Sequence, residues 1–296
     1  MNPEYTKFQS NGFNLSVKKV YSSDSKPSLL LLHGFNDNKE TFYFIEKFLS
    51  EYFNLISFDF RGHGDSDWKK EGIYHYAESF LDVHNIAEEY CKEPFYLLGH
   101  SMGASIAARY SGLFPERILG LICLEGFIGI LPKEYEKKRI QDWLSKMHRK
   151  GNRSVGLRYM SSIEEVSNRL STAFPYVAGE KISIIAQNLT RKTDEGKYTW
   201  KSDPMLKLAN PIPFPTDLSR EIWKNIQAKV IILFGKNTHL KADNIEEVLS
   251  HFSDLYYIEI ENAGHNIHQD QPKKLCIELE KFFTNKLGLS KSKKAW

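Results

Sequence analysis

Cysteine is scarce in this chain, with Cys91, Cys123 and Cys276 the three present among 296 residues. They are odd in number, widely spaced and set in apolar patterns. A disulfide framework is therefore excluded as the source of stability, and buried free thiols in a reducing compartment are expected. Long apolar runs are missing as well. No stretch approaches the roughly 18 residues of a membrane span, and the first ten residues lack an apolar core of signal-peptide length, so a cytoplasmic protein is expected. An excess of one charge is also absent: Lys and Arg number 40 against 37 Asp and Glu, a net +3. That balance is too even to recruit nucleic acid or an anionic membrane surface. There is no internal repeat and no low-complexity block. His265 and His268 form a lone H-x-x-H without further clustered ligands, so no metal and no cofactor is expected. The expected partner is a small-molecule substrate, and nothing in the sequence fixes an oligomeric state.

What is present is a globular composition, 41% hydrophobic and 26% charged. A chain of this length buries roughly three-quarters of its extended surface, enough for one large domain carrying an insertion. Asn11-Gly12 separates two short strand patterns and reads as a two-residue hairpin turn. Continuous apolar runs at 27–32, 54–58, 95–98, 118–124, 229–234 and 255–260 then read as buried strands alternating with helices. Asn38 is placed to cap a helix running to about Tyr52. Phe80, Val83, Ala87 and Tyr90 form one helical stripe. Between about 127 and 227 the strand signals vanish. Helices are expected over 133–147, from a Ser162/Glu165 capping box to Thr172, and over 180–189, with Pro211, Pro213 and Pro215 marking an extended return path. The expected organisation is a core of residues 1–126 and 228–296 interrupted by a mainly helical insertion, 127–227. A short lysine-rich stretch, 290–296, reads as a solvated tail.

The chemistry centres on Gly99-His100-Ser101-Met102-Gly103. An apolar strand ends at Gly99 and a small-residue helix pattern follows, so Ser101 stands at the apex of a strand-turn-helix. There the glycines two positions away on either side remove side chains that would collide. A serine hydroxyl is a poor nucleophile at neutral pH and needs a base within hydrogen-bond reach and donors for the oxyanion. His265, in Ala263-Gly264-His265-Asn266 after the last strand, is the candidate base. The backbone N–H groups of Met102 and of Phe35, in His33-Gly34-Phe35, are the candidate oxyanion donors. His63 and His100 are read as structural.

These residues, together with Asp59-x-Arg61-Gly62-His63-Gly64-x-Ser66, resemble the α/β-hydrolase superfamily across nearly the whole chain. The resemblance implies a mostly parallel central sheet flanked by helices, with the insertion as a cap. In that superfamily the acid of the triad usually lies three residues beyond a glycine after the strand that follows the insertion. Here that glycine is Gly235, and Thr238 holds the acid's place. Asp243, five residues on, would require a rebuilt loop. In relatives resembling haloalkane dehalogenases and coelenterazine luciferases the acid follows the preceding strand, which here places Glu125 in the role. Ile73-Tyr74-His75-Tyr76, Leu124-Glu125-Gly126, Trp200-Lys201-Ser202-Asp203-Pro204 and Gly264-His265-Asn266-Ile267-His268 further resemble the serine hydrolase-like proteins.

The implied activity is serine hydrolysis of carboxylic esters of small, mainly apolar substrates through an acyl-enzyme, with Ser101, His265 and Glu125 as triad. Aromatic residues of the insertion, above all Phe127, Trp143, Phe174 and Trp200, with Tyr176, Phe214 and Trp223, are candidate pocket walls. Serine rather than aspartate at position 101 disfavours dehalogenation and epoxide hydrolysis. Two alternatives stay open: a weakly active or inactive ligand-binding, receptor-like protein, and a cofactor-free oxygenase or lyase.

Overall fold

The computed structural model describes residues 2–91, 94–127, 134–150, 156–208, 210–212, 214–241 and 244–291; side chains 134–136 and 148–150 are not included. The chain opens with β1 (Glu4–Ser10) and β2 (Phe13–Val20), joined by Asn11 and Gly12 at φ 47° and 84°, the left-handed pair a two-residue hairpin demands. There follow β3 (Ser28–Leu32), α1 (Tyr43–Leu49), β4 (Asn54–Phe58), α2 (Tyr76–Tyr90), β5 (Phe95–His100), α3 (Met102–Leu113) and β6 (Ile118–Leu124). After the insertion, strand-helix alternation resumes. Between β6 and that resumption lie α4 (Glu134–Lys150), β7 (Tyr159–Met160), α5 (Ile163–Ala173), α6 (Gly179–Leu189), β8 (Thr190–Lys192), β9 (Tyr198–Trp200) and α7 (Thr216–Lys224). The chain closes with β10 (Lys229–Gly235), α8 (Ile245–Leu249), β11 (Leu255–Ile260), α9 (Ile267–Asp270) and α10 (Pro272–Asn285).

Eight strands form one sheet in the order β1-β2-β4-β3-β5-β6-β10-β11. The pairs β1–β2 and β2–β4 are antiparallel and every pair from β4 onward is parallel. The central strands are apolar throughout because helices cover both faces. In β3, Leu30 and Leu32 point into one core with Val83 of α2 and Ala107 of α3, while Leu29 and Leu31 point into the other with Ile45 of α1 and Leu279 and Phe283 of α10. Each such side chain contributes roughly 1.5–3 kcal/mol of burial. Cys91 and Cys123 are buried free thiols, and Cys276 is half-buried and also free. Among the described residues, no helix is long and apolar enough to cross a membrane.

Four local expectations change. The helix expected from Asn38 begins at Tyr43, because the Asn38 side chain instead accepts from the Glu40 N–H and its carbonyl accepts from Thr41, closing a turn of its own. The buried face of α2 comprises Val83, Ile86 and Ala87, with Phe80 and Tyr90 as partly buried flanks. At α5, Ser162 caps the Glu165 N–H as expected, but Glu165 returns its bond to Ser161 rather than to Ser162. Strands do not vanish between β6 and β10: β7, β9 and β8 form a small antiparallel sheet beside a cluster of Met160, Val166, Leu170, Ile182 and Ile185. Two- and three-residue strands leave too little alternation for a sequence pattern to register.

Directly after the stretch expected to be an extended return at Pro211, Pro213 and Pro215 comes α7, a helix not expected from the sequence. Its Trp223 and Ile222 are buried, and Ile222 lies so close to α3 that a Cβ on Gly112 would stand 2.0 Å from the Ile222 carbonyl oxygen. Backbone cannot yield there as a side chain does. Gly112→Ala is therefore expected to push α7 from α3 and destabilise the protein by about 1–3 kcal/mol, read as a lowered midpoint of chemical denaturation. A wild-type midpoint would refute this packing.

Candidate active site

Ser101 sits between β5 and α3 at φ 52°, ψ −114°, a conformation costing about 1–3 kcal/mol for a non-glycine residue. Its surroundings enforce it. The Ser101 N–H donates to the Leu124 carbonyl of β6 at 2.8 Å. A Cβ on Gly99 would meet the Gly103 carbonyl oxygen at 2.3 Å, and one on Gly103 would meet that of Leu32 at 2.2 Å. The turn thus closes on itself and docks on the end of β3, with the Ser101 side chain held at its apex.

Parallel pairing of β6 with β10 puts Leu124 opposite Leu233, so Glu125 leaves the sheet beside the end of β10. Its N–H donates to the Leu233 carbonyl at 2.9 Å, and its side chain is fully buried. Three donors satisfy the carboxylate. The Gly235 N–H donates to Oε1, the Thr238 hydroxyl donates to Oε2 at 2.7 Å, and His265 Nδ1 lies 3.2 Å from Oε2. With Nδ1 carrying a proton toward Glu125, the opposite nitrogen, Nε2, accepts from the Ser101 hydroxyl at 2.9 Å. Ser101, His265 and Glu125 are thereby brought into one relay. Thr238 is part of it, a contact that sequence reasoning missed, although its position in the usual place of the acid was visible. Asp243 lies outside the described residues, as do residues 292–296 of the expected tail.

The loop after β3 closes the other side. A Cβ on Gly34 would stand 3.3 Å from Ser101 Cβ, so the neighbouring Phe35 backbone is carried next to the serine. Among the described residues no protein acceptor takes the Phe35 N–H, and Met102, as the first residue of α3, has no intrahelical acceptor for its own. Behind this loop, His33 bridges the Gly34 carbonyl and the Phe60 N–H, and His63 packs on both His33 and Phe35. Burial lowers their pKa values to about 4 and about 3, so both rings are neutral supports. His100 donates from Nε2 to the His265 carbonyl at 2.9 Å, tying the elbow to the loop of His265.

The aromatic candidates scatter. Phe127 is buried against Trp223 and Phe252 in the core beneath α3. Phe174 and Trp200 pack on the small cluster of the insertion, and Trp143 is half-buried on α4. Tyr176 lies against the loop of His265: a Cβ on Gly264 would stand 2.9 Å from its ring. Two further motifs meet in space: Tyr74 donates to Asp203 at 2.6 Å while the Asp203 N–H donates to the Gly62 carbonyl at 2.8 Å.

Comparison with known proteins agrees with this fold. Residues 27–272 match the model of the alpha/beta hydrolase fold. A serine hydrolase-like protein of Danio rerio is 25% identical over 281 residues, covering 89% of this chain and 83% of that one. The monoacylglycerol lipase abhd6-B of Xenopus laevis is 25% identical over 276 residues, covering 91% and 79%. Among solved structures, a thioesterase domain from the curacin biosynthetic pathway superposes with a TM-score of 0.79 at 20% identity, over 95% of this chain and all of that one. A mostly parallel sheet, an elbow serine and a match over residues 27–272 lead to one statement of kinship: the chain belongs to the α/β-hydrolase fold family.

Proposed function

We propose that the protein is a serine hydrolase that cleaves carboxylic esters of small, mainly apolar substrates through an acyl-enzyme. The observation that supports this most is the relay itself, Ser101 Oγ to His265 Nε2 at 2.9 Å and His265 Nδ1 to Glu125 at 3.2 Å. In this mechanism Ser101 attacks the carbonyl as His265 takes its proton, and the Phe35 and Met102 N–H groups receive the oxyanion. His265 then returns the proton to the leaving alcohol, and water repeats the sequence on the acyl-serine. Glu125 holds the tautomer and stabilises the imidazolium. Residues 127–227 act as the cap over the site. They are tied to its loops by the Asn38 amide donating to the Asn188 carbonyl at 2.8 Å and by Lys181 donating to the Gln269 carbonyl at 2.8 Å.

A fluorophosphonate probe is expected to label the wild-type protein at Ser101, and short p-nitrophenyl esters are expected to turn over; Ser101→Ala abolishes both. Folded protein that neither labels nor turns over would favour a ligand-binding role instead.

The acid is tested separately. Glu125→Gln is expected to lower kcat by about 10⁴, by the measure of a serine protease deprived of its acid, whereas Asp243→Asn leaves kcat within a few-fold. Thr238→Val removes a hydrogen bond to a charged acceptor and is expected to lower kcat by about 10- to 100-fold with KM little changed, Thr238→Ser restoring it. Loss with Asp243→Asn and retention with Glu125→Gln would overturn the assignment.

A further inference from the structure

The mechanism leaves a second group of chemically able side chains unused. Asp37, in the loop after β3, His100, the residue before the nucleophile, and His268, in α9, present donor atoms that all lie within 4.8 Å of one another. His100 and His268 are 3% and 0% exposed, with ring centroids 4.4 Å apart. The hydrogen bonds fix which nitrogen of each ring is bare. His100 Nε2 meets the His265 carbonyl, which only accepts, so Nε2 carries the proton and Nδ1 presents a lone pair. Thr41 commits its hydroxyl proton to Asp37 at 2.6 Å, so its oxygen accepts from His268 Nε2 at 2.8 Å, and His268 Nδ1 is bare as well. Both Nδ1 atoms are buried without a protein partner. Burial holds both rings well below the ordinary histidine pKa, that of His268 at about 3, so neither is a cation at neutral pH.

Two buried imidazoles, each with one unpartnered nitrogen, and a carboxylate whose donor atoms gather within 4.8 Å are a candidate ligand set. Histidines that bind metals donate their other N–H to a carbonyl, carboxylate or water, which fixes ring and tautomer, and here the other nitrogens are held by a carbonyl and by a hydroxyl that itself donates to the carboxylate. Imidazole with carboxylate suits Zn²⁺, Cu²⁺ and Ni²⁺ over Mg²⁺ or Ca²⁺. Tetrahedral ligands at about 2.0–2.1 Å from an ion stand about 3.4 Å apart, so a bound ion would draw these donors inward. Gly34 packs closely on the His100 side: a Cβ there would stand 2.8 Å from Nδ1, so a side chain at this position would crowd that nitrogen. We infer that Asp37, His100 and His268 form a binding site for one divalent, imidazole-seeking cation of the Zn²⁺ class, set behind the triad.

The inference does not depend on the hydrolase proposal, but it has a consequence for it. The rings of His100 and His265 have centroids 4.9 Å apart. A dication on His100 disfavours the imidazolium that His265 must become, so Zn²⁺ inhibits ester turnover if that proposal holds.

Calorimetric titration of metal-stripped full-length protein with ZnCl₂ at pH 7.5 is expected to show one saturable site per chain and none with MgCl₂. His268→Ala and Asp37→Asn, each checked for folding by circular dichroism, are expected to weaken it at least about tenfold. Should either variant fail to fold, anomalous diffraction from wild-type crystals soaked in ZnCl₂ decides: the peak is expected next to His100 Nδ1 and His268 Nδ1. No saturable heat, binding unchanged in both folded variants, or a peak only elsewhere overturns the site. In the first case a water donating to both nitrogens is the remaining account. These readouts stand apart from fluorophosphonate labelling, so the two proposals fail separately.

Discussion

A carboxylate with no access to water must be given donors, and Glu125 receives three, two from the end of β10 and one from His265 after β11. Left unpaired, a buried charge costs several kcal/mol, more than most single interactions in a domain return. The cost is met by geometry set elsewhere. Pairing of Leu124 with Leu233 brings the two strand ends level, so that the Gly235 N–H points at Oε1 while Oε2 faces the Thr238 hydroxyl and His265. Shifting β10 by one residue would turn its side chains to the opposite face and strand the carboxylate. The register of the central sheet and the alignment of the imidazole are therefore one constraint.

The same economy holds around the serine. The strained backbone of Ser101 persists because the turn is pinned on three sides: by the Leu124 carbonyl, by the end of β3, and through His100 by the carbonyl of His265. The last contact makes the loop of His265 a structural neighbour of the turn that carries Ser101. Neutral buried histidines suit this role, since each bonds a backbone donor or acceptor with either nitrogen without bringing a net charge into the interior. His33, His63 and His100 each bond backbone in this way, His268 bonds the Thr41 hydroxyl, and of these rings it is His265 that bonds Ser101.

Much of this arrangement was legible before any coordinates. The hairpin at Asn11-Gly12, the parallel strands and the elbow follow from local rules: positive φ at a turn, two-sided burial of apolar runs, and glycines where backbones touch. What escaped was short or non-local. The strands β7, β8 and β9 are too brief to show a period, and α7 was hidden among the prolines that precede it. The aromatic residues of the insertion looked alike in sequence, yet Phe127 turns into the core while Tyr176 lies beside Gly264, a distinction set by tertiary packing alone. His268 shows the limit most plainly. In the sequence it is only the second histidine of an isolated H-x-x-H, whereas in the fold its ring packs on His100 and bonds the Thr41 hydroxyl.

Thr238 carries a more general lesson about the acid. Glu125 and position 238 approach within 2.7 Å, too close for two ionised carboxylates, which at such a distance force one of them to hold a proton. Ionised carboxylates at 125 and 238 are thus mutually exclusive, and the position without one is best filled by a donor. A hydroxyl there meets the demand at little cost in volume, and the acceptor it needs stands at the end of the neighbouring strand. The departure at position 238, which in the sequence looks like a lost catalytic residue, and the glutamate after β6 are two halves of one electrostatic arrangement. Either half predicts the other, because a buried acceptor without its donor, or the reverse, would cost more than the fold gains from keeping it.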